Sequence, residues 1–211
     1  MRAAALYILA CILYEATVYN VTALAPPPTL AARSRGSPLR GAIADFAADV
    51  LGAKPEEAEA CEDRVIAASP RATAQTFRYA VTPPADADDD DRENLAARYA
   101  EVTAMLQDRV DALKALGLTE AEVRRVAARV PEVLSYSPAV VAAASAAQRA
   151  RLELDEAAFK KRIVLRLPQA LGLRYDRDVA PALDALKDAL GLSESELRQL
   201  VLGAPQVLGL S

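Results

Sequence analysis

The chain has 211 residues, 25 of them basic and 29 acidic, with no histidine and no tryptophan, enough length for one repeat domain plus targeting and linker material. The lack of histidine removes the usual general base near neutral pH, the commonest metal ligand and every His-containing triad. Aromatics are few while Ala, Leu and Val dominate, which favours an all-α fold over a strand-rich sandwich.

The N-terminal segment 1–25 has the layout of a signal peptide: Arg2, an apolar run from Ala3 to Tyr14, then a more polar stretch ending in small residues at Val21 to Ala25. Glu15 interrupts the run too early for a membrane span, which needs about 20 apolar residues, so no stable membrane insertion of the mature chain is expected. Segment 26–42 carries Arg33, Arg35 and Arg40 among Ser, Thr and Pro, with no acidic residue before Asp45, the composition of an organellar transit peptide. A signal peptide followed by such a segment resembles the bipartite plastid-targeting presequence of algae with secondary plastids. That resemblance implies an organelle, plastid ahead of mitochondrion, with the secretory pathway as the alternative.

Residues 43–81 show broadly helical spacing with breaks at Pro55 and Pro70. Of the two cysteines, Cys11 lies in the leader, leaving Cys61 as a small half-buried packing residue rather than a nucleophile. The acidic run 82–93, TPPADADDDDREN with its neighbours, reads as a solvated linker, because it lacks the Gly and Glu spacing of a calcium loop. Charge is uneven along the chain. From Gly41 to Arg92 there are 12 acidic against 5 basic residues, whereas Glu93 to Ser211 holds 16 of each. Within the latter, Ser145 to Arg177 is locally cationic, with 8 basic and 4 acidic residues.

The region 94–211 repeats. Pro131, Pro168 and Pro205 are each 37 residues apart, a fixed spacing that marks stacked supersecondary units. Gly117 and Gly191 are placed to end a helix, and Thr119 with Glu122, like Ser193 with Glu196, forms a capping box for the next. Asp155 can cap the middle copy, where Ala158 supplies no reciprocal carboxylate. Apolar residues then recur at helical spacing: Val123, Val126, Ala127, Val130; Phe159, Ile163, Val164, Leu167; Leu197, Leu200, Val201, Ala204. The middle copy has its Phe one place early, a one-residue slip. Each proline can open a short new helix, which Leu134, Leu171 or Leu208 would dock onto the core. Longer helices over about Asn94 to Leu116 and Pro138 to Leu152 separate the units. One such hairpin cannot bury its own apolar face, so the units must stack. The stretch from Leu51 to Pro70 resembles a degenerate further copy, with a Gly-to-Pro distance four residues longer.

The L-G-L-[ST]-E-x-E-[LV] opening, the R-x-x-x-x-x-P helix end at Arg125 and Arg162 and the P-x-x-L-x-x-S ending resemble the repeat of the mitochondrial transcription termination factor (mTERF) family. The resemblance implies a right-curved all-α solenoid of about three repeats that binds double-stranded DNA or RNA along a basic face. It further implies a non-enzymatic role in organellar transcription termination or gene-expression regulation, alongside other organellar gene-expression proteins. No paired-acid, phosphate-loop or metal-ligand motif occurs, so no catalytic residue, cofactor or metal is expected. Stacking the copies on their prolines puts Arg124, Lys161 and Arg198 in one column, Arg125 and Arg162 with Gln199 in a second, and Arg129 with Arg166 in a third, with Lys160 beside them. Rows of this kind suit phosphate tracking. The alternative is that they are solvated helix faces of a protein-interaction scaffold with no nucleic-acid contact. The repeat region is neutral, and the chain stops at Ser211, just after the third P-x-x-L, so weak binding is expected.

Overall fold

The computed structural model describes residues 41–79 and 88–209; the signal-peptide reading over 1–25 and the transit-peptide reading over 26–42 lie outside the described residues except for 41 and 42, as does 82–87 of the acidic segment. The described residues are helical, with no strand. Three helices come first: α1 (Ala42–Asp49), α2 (Pro55–Ala68) and α3 (Arg71–Tyr79). The long α4 (Asp89–Ala115) follows, then α5 (Glu120–Arg129) and α6 (Pro138–Leu152). Next come α7 (Glu156–Phe159), which runs on into a π turn over Lys160–Val164, and α8 (Ala180–Leu190), entered through a π turn at Tyr175–Val179. The last is α9 (Glu194–Gly203).

Between the helices, 3-10 turns form at Pro131–Ser135, Pro168–Gly172 and Pro205–Gly209. The residue before each proline is pushed out of helical geometry by the ring that follows. Its backbone is nearly the same each time: φ −134°, ψ 76° at Val130, φ −137°, ψ 72° at Leu167 and φ −134°, ψ 75° at Ala204. Leu134, Leu171 and Leu208, three residues beyond the prolines, are at most 1 % exposed and anchor the turns in the core.

Helix starts follow the expected chemistry. The Glu122 carboxylate accepts from the Thr119 N–H at 2.8 Å while Thr119 Oγ1 accepts from Glu122 N–H at 3.3 Å. Ser193 and Glu196 repeat the pair at 2.9 and 3.3 Å. Asp155 accepts from Ala158 N–H at 2.7 Å without a reciprocal partner. Helix ends are closed by left-handed residues, Gly117 (φ 78°) after α4 and Gly191 (φ 62°) after α8. After α6 that place falls to Glu153 (φ 50°).

Segment 51–79 shares the opening of these units but not their ending. Gly52 is left-handed (φ 71°) and Glu57 accepts from the Lys54 N–H at 3.0 Å, yet α2 has 14 residues against 10 in α5 and α9. Pro70 is followed by α3 rather than by a 3-10 turn. The acidic run extends into a helix: Asp88 caps α4 by accepting from Asp91 N–H at 2.8 Å, and Asp89, Asp90 and Asp91 fill its first turn, where negative charge opposes the positive end of the helix dipole. Cys61 packs deeper than its half-buried reading, at 5 % exposed, and burial pushes its thiol up to about 11.

The N-terminal helices dock onto the repeats in two places: α1 and α3 pack on α4, and α2 lies against the turn Pro131–Ser135. There Arg64 holds Glu132 through both carboxylate oxygens, at 2.9 and 2.8 Å. That turn packs in its own right against the turn Pro168–Gly172. The buried Gln148 side chain of α6 donates to Ala170 O at 2.8 Å, tying the return helix to the same place.

Candidate nucleic-acid interface

The basic residues of the units fall into sets with different surroundings. At the fifth position after each helix cap stand Arg124, Lys160 and Arg198, and all three are neutralised. Arg124 meets Glu120 at 2.8 Å, Lys160 meets Glu122 at 3.3 Å and Gly117 O at 3.0 Å, and Arg198 meets Glu153 at 2.6 Å. Glu122 is thereby held below the ordinary carboxylate range, first by the Thr119 backbone N–H and then by Lys160.

The middle unit departs from the expected column. Between cap and proline there are 11 residues in the first and third units but 12 in the second. The π turn absorbs the extra residue, with Leu165 N–H reaching back five residues to Lys160 O at 3.0 Å. Phe159 before the turn and Ile163 and Val164 at its end all remain buried. Lys160 therefore takes the place equivalent to Arg124 and Arg198, and Lys161 is turned outward.

The second set is not neutralised. Arg125 and Arg162, six residues before their prolines, and Lys161 are exposed and form no ion pair among the described residues. Arg129 and Arg166, two residues before their prolines, are exposed too, and bond carbonyls rather than carboxylates. Arg129 Nη2 donates to Leu165 O at 2.7 Å; Arg166 Nη1 and Nη2 donate to Leu202 O at 2.7 Å and Gly203 O at 2.9 Å. The equivalent places in the third unit are Gln199 and Gly203. Four arginines thus form a two-by-two array with one pair per unit, and Lys161 stands beside it.

Sequence reasoning missed the carbonyl bonds of Arg129 and Arg166, whose only trace is the spacing of about one repeat between donor and acceptor. It also missed Arg151, which joins α6 to α8 and α9 through Asp184 at 2.8 Å and Glu194 at 3.3 Å. Arg109 is buried on α4 with its guanidinium 5.3 Å from the centre of the Phe77 ring. Among the described residues no group of three or more Cys, Asp or Glu side chains is arranged to hold a metal ion, and no helix is long and apolar enough to cross a membrane.

A family model described as mTERF matches residues 64–211. The chain belongs to the mTERF family. The match takes in every cation of the array and the turns that position them, and starts within α2, the helix that docks onto the first mTERF turn. Membership places the chain in a family of organellar, nucleic-acid-binding proteins of gene expression in general. A comparison with curated proteins finds no match.

Proposed function

We propose that this mTERF protein binds the sugar–phosphate backbone of double-stranded nucleic acid through Arg125, Arg129, Arg162, Arg166 and Lys161. The observation that carries the reading is the sorting of charges: the column of Arg124, Lys160 and Arg198 is neutralised by glutamates, while the neighbouring array faces no carboxylate. Like charges one helical turn apart destabilise a helix slightly, so an unpaired pair retained in two successive units points to an anionic partner. Residues four apart are separated by about 6 Å along a helix and packed helices by about 8 to 10 Å, a spread that reaches several phosphates of a duplex. Contacts of this kind give affinity without sequence readout.

The test is a salt titration of the full chain on random-sequence duplex DNA and RNA, followed by fluorescence anisotropy. Affinity should fall with salt at about 0.9 logarithmic units per phosphate contact, and Arg125→Gln, Lys161→Gln and Arg162→Gln together should flatten the slope by roughly 2.7. The paired Arg124→Gln should change it far less. No affinity at low salt sinks the reading in favour of a protein-interaction scaffold. We place the activity in transcription termination or another transcript-level step inside a plastid, in preference to a mitochondrion, on the leader composition of residues 1–42. Imaging of a C-terminally tagged full-length chain checks the compartment.

A further inference from the structure

Arg129 and Arg166 occupy the same place in successive units, and each reaches forward into the next one. Their acceptors, Leu165 O for Arg129 and Leu202 O with Gly203 O for Arg166, are carbonyls at the end of the following helix, which have no partner within that helix. Leu165 directly precedes Arg166. The guanidinium of one unit therefore ends beside the backbone from which the next arginine starts, and the bonds form a relay across the three helix ends. The relay stops at Gly203, where no arginine follows.

A guanidinium has five N–H donors in a rigid fork. The carbonyl bonds occupy one donor of Arg129 and two of Arg166. Both side chains are exposed, and neither charge is cancelled by an acid.

We propose that Arg129 and Arg166 couple nucleic-acid binding to the packing of successive repeats, one edge of each guanidinium holding the next helix end and the remaining N–H groups taking a phosphate. The inference rests on the backbone-binding reading above. A phosphate on the outer edge fixes the guanidinium and, through it, the carbonyls behind, so that the joined units open less often when a duplex is bound. A lysine ammonium supplies the charge but not the planar fork that serves both sides.

Amide hydrogen exchange on the full chain tests this, without and with a saturating random-sequence DNA duplex at low salt. The reporters are Leu167 N–H, bonded to Ile163 O, and Ala204 N–H, bonded to Leu200 O. In the free protein, Arg129→Lys with Arg166→Lys should speed exchange at both amides by about tenfold and leave the amides around Leu106 in α4 unchanged. Should the double variant fold poorly, Arg166→Lys alone is read at Ala204. Duplex binding should slow both amides in the wild-type chain and have no such effect in the lysine variant, each compared at a duplex concentration that the anisotropy titration shows to saturate it. Unchanged exchange in the free variant, wild-type binding without slowing, or equal slowing in the lysine variant would each overturn the coupling. A wild-type chain that does not bind at all brings down the backbone-binding reading and the coupling together, and the anisotropy titration identifies that case separately.

Discussion

Glu153 occupies the place where two other long helices end in glycine, and its φ of 50° makes it the one left-handed non-glycine residue among those described. Holding an L-residue there costs about 1 to 2 kcal/mol. The side chain offsets part of that through Arg198 at 2.6 Å, but Glu153 is 68 % exposed, where an ion pair contributes at most about 1 kcal/mol. Glu153→Gly should therefore stabilise the chain by about 1 kcal/mol, read as a higher urea midpoint with unchanged slope. Losing the acid should also free Arg198, so the same variant is expected to bind duplex slightly better. The cap carboxylates set the response to acid. Glu122 is held below its ordinary value of 4.5 chiefly by the Thr119 N–H, and Glu196 chiefly by the Ser193 hydroxyl and then its N–H. A carboxyl lowered in the fold stabilises it above the unfolded value and ceases to do so as pH falls through the folded one. Stability should thus decline as pH drops below about 4.5, and Glu122→Gln with Glu196→Gln, which keep the cap geometry, should flatten that decline in urea titrations from pH 7 to pH 3.

At the scale of elements, the π turn in α7 makes a sharp prediction. Deleting Lys161 leaves 11 residues between cap and proline, as in the other two units, and keeps Phe159, Ile163 and Val164 in the apolar register of Val123, Val126 and Ala127. The variant should fold with a loss of no more than about 1 kcal/mol. Deleting Arg125 from the regular α5 instead rotates everything after it by about 100°, moves Val126, 2 % exposed, into the exposed place of Arg125 with the smaller Ala127 in its buried one, and should cost about 3 kcal/mol or more. Equilibrium urea unfolding of the two deletions decides the matter. The same turn shows what the sequence could and could not convey. Caps, prolines and the leucines three residues beyond them obey rules spanning a few residues, so Thr119, Ser193, Pro131 and Leu134 were legible as such. The extra residue of the middle unit was visible, but which of Lys160 and Lys161 would be turned outward was not, because an insertion between two buried anchors can be absorbed at any intervening place. Likewise the neutralisation of Arg198 by Glu153 and of Lys160 by Glu122 depends on partners 45 and 38 residues away, where helical spacing carries no information. The exposed array was therefore recognisable as a set of cations, whereas its division into paired and unpaired columns needed the packing.

For the whole molecule, the equivalence of the three turns does not make their leucines equivalent in stability. In a stacked array each unit leans on its neighbours, so a loss spreads according to how many partners the site joins. The turn holding Leu134 touches α2, α4, α5 and the turn Pro168–Gly172, and the Arg64 to Glu132 bond ties it to the N-terminal helices. The turn holding Leu208 rests on α8, α9 and the π turn Tyr175–Val179. Both leucines are at most 1 % exposed, so either change to alanine removes about 2 to 5 kcal/mol of local packing. Leu134→Ala should raise amide exchange from α2 through α7, since the elements it joins open together. Leu208→Ala should raise it within 175–209 and leave the buried stretch Val102 to Leu113 of α4 protected. A uniform rise across the chain in both variants would mean that the units unfold as a single cooperative block, in which case the carbonyl relay from Arg129 and Arg166 is the first connection between them to examine.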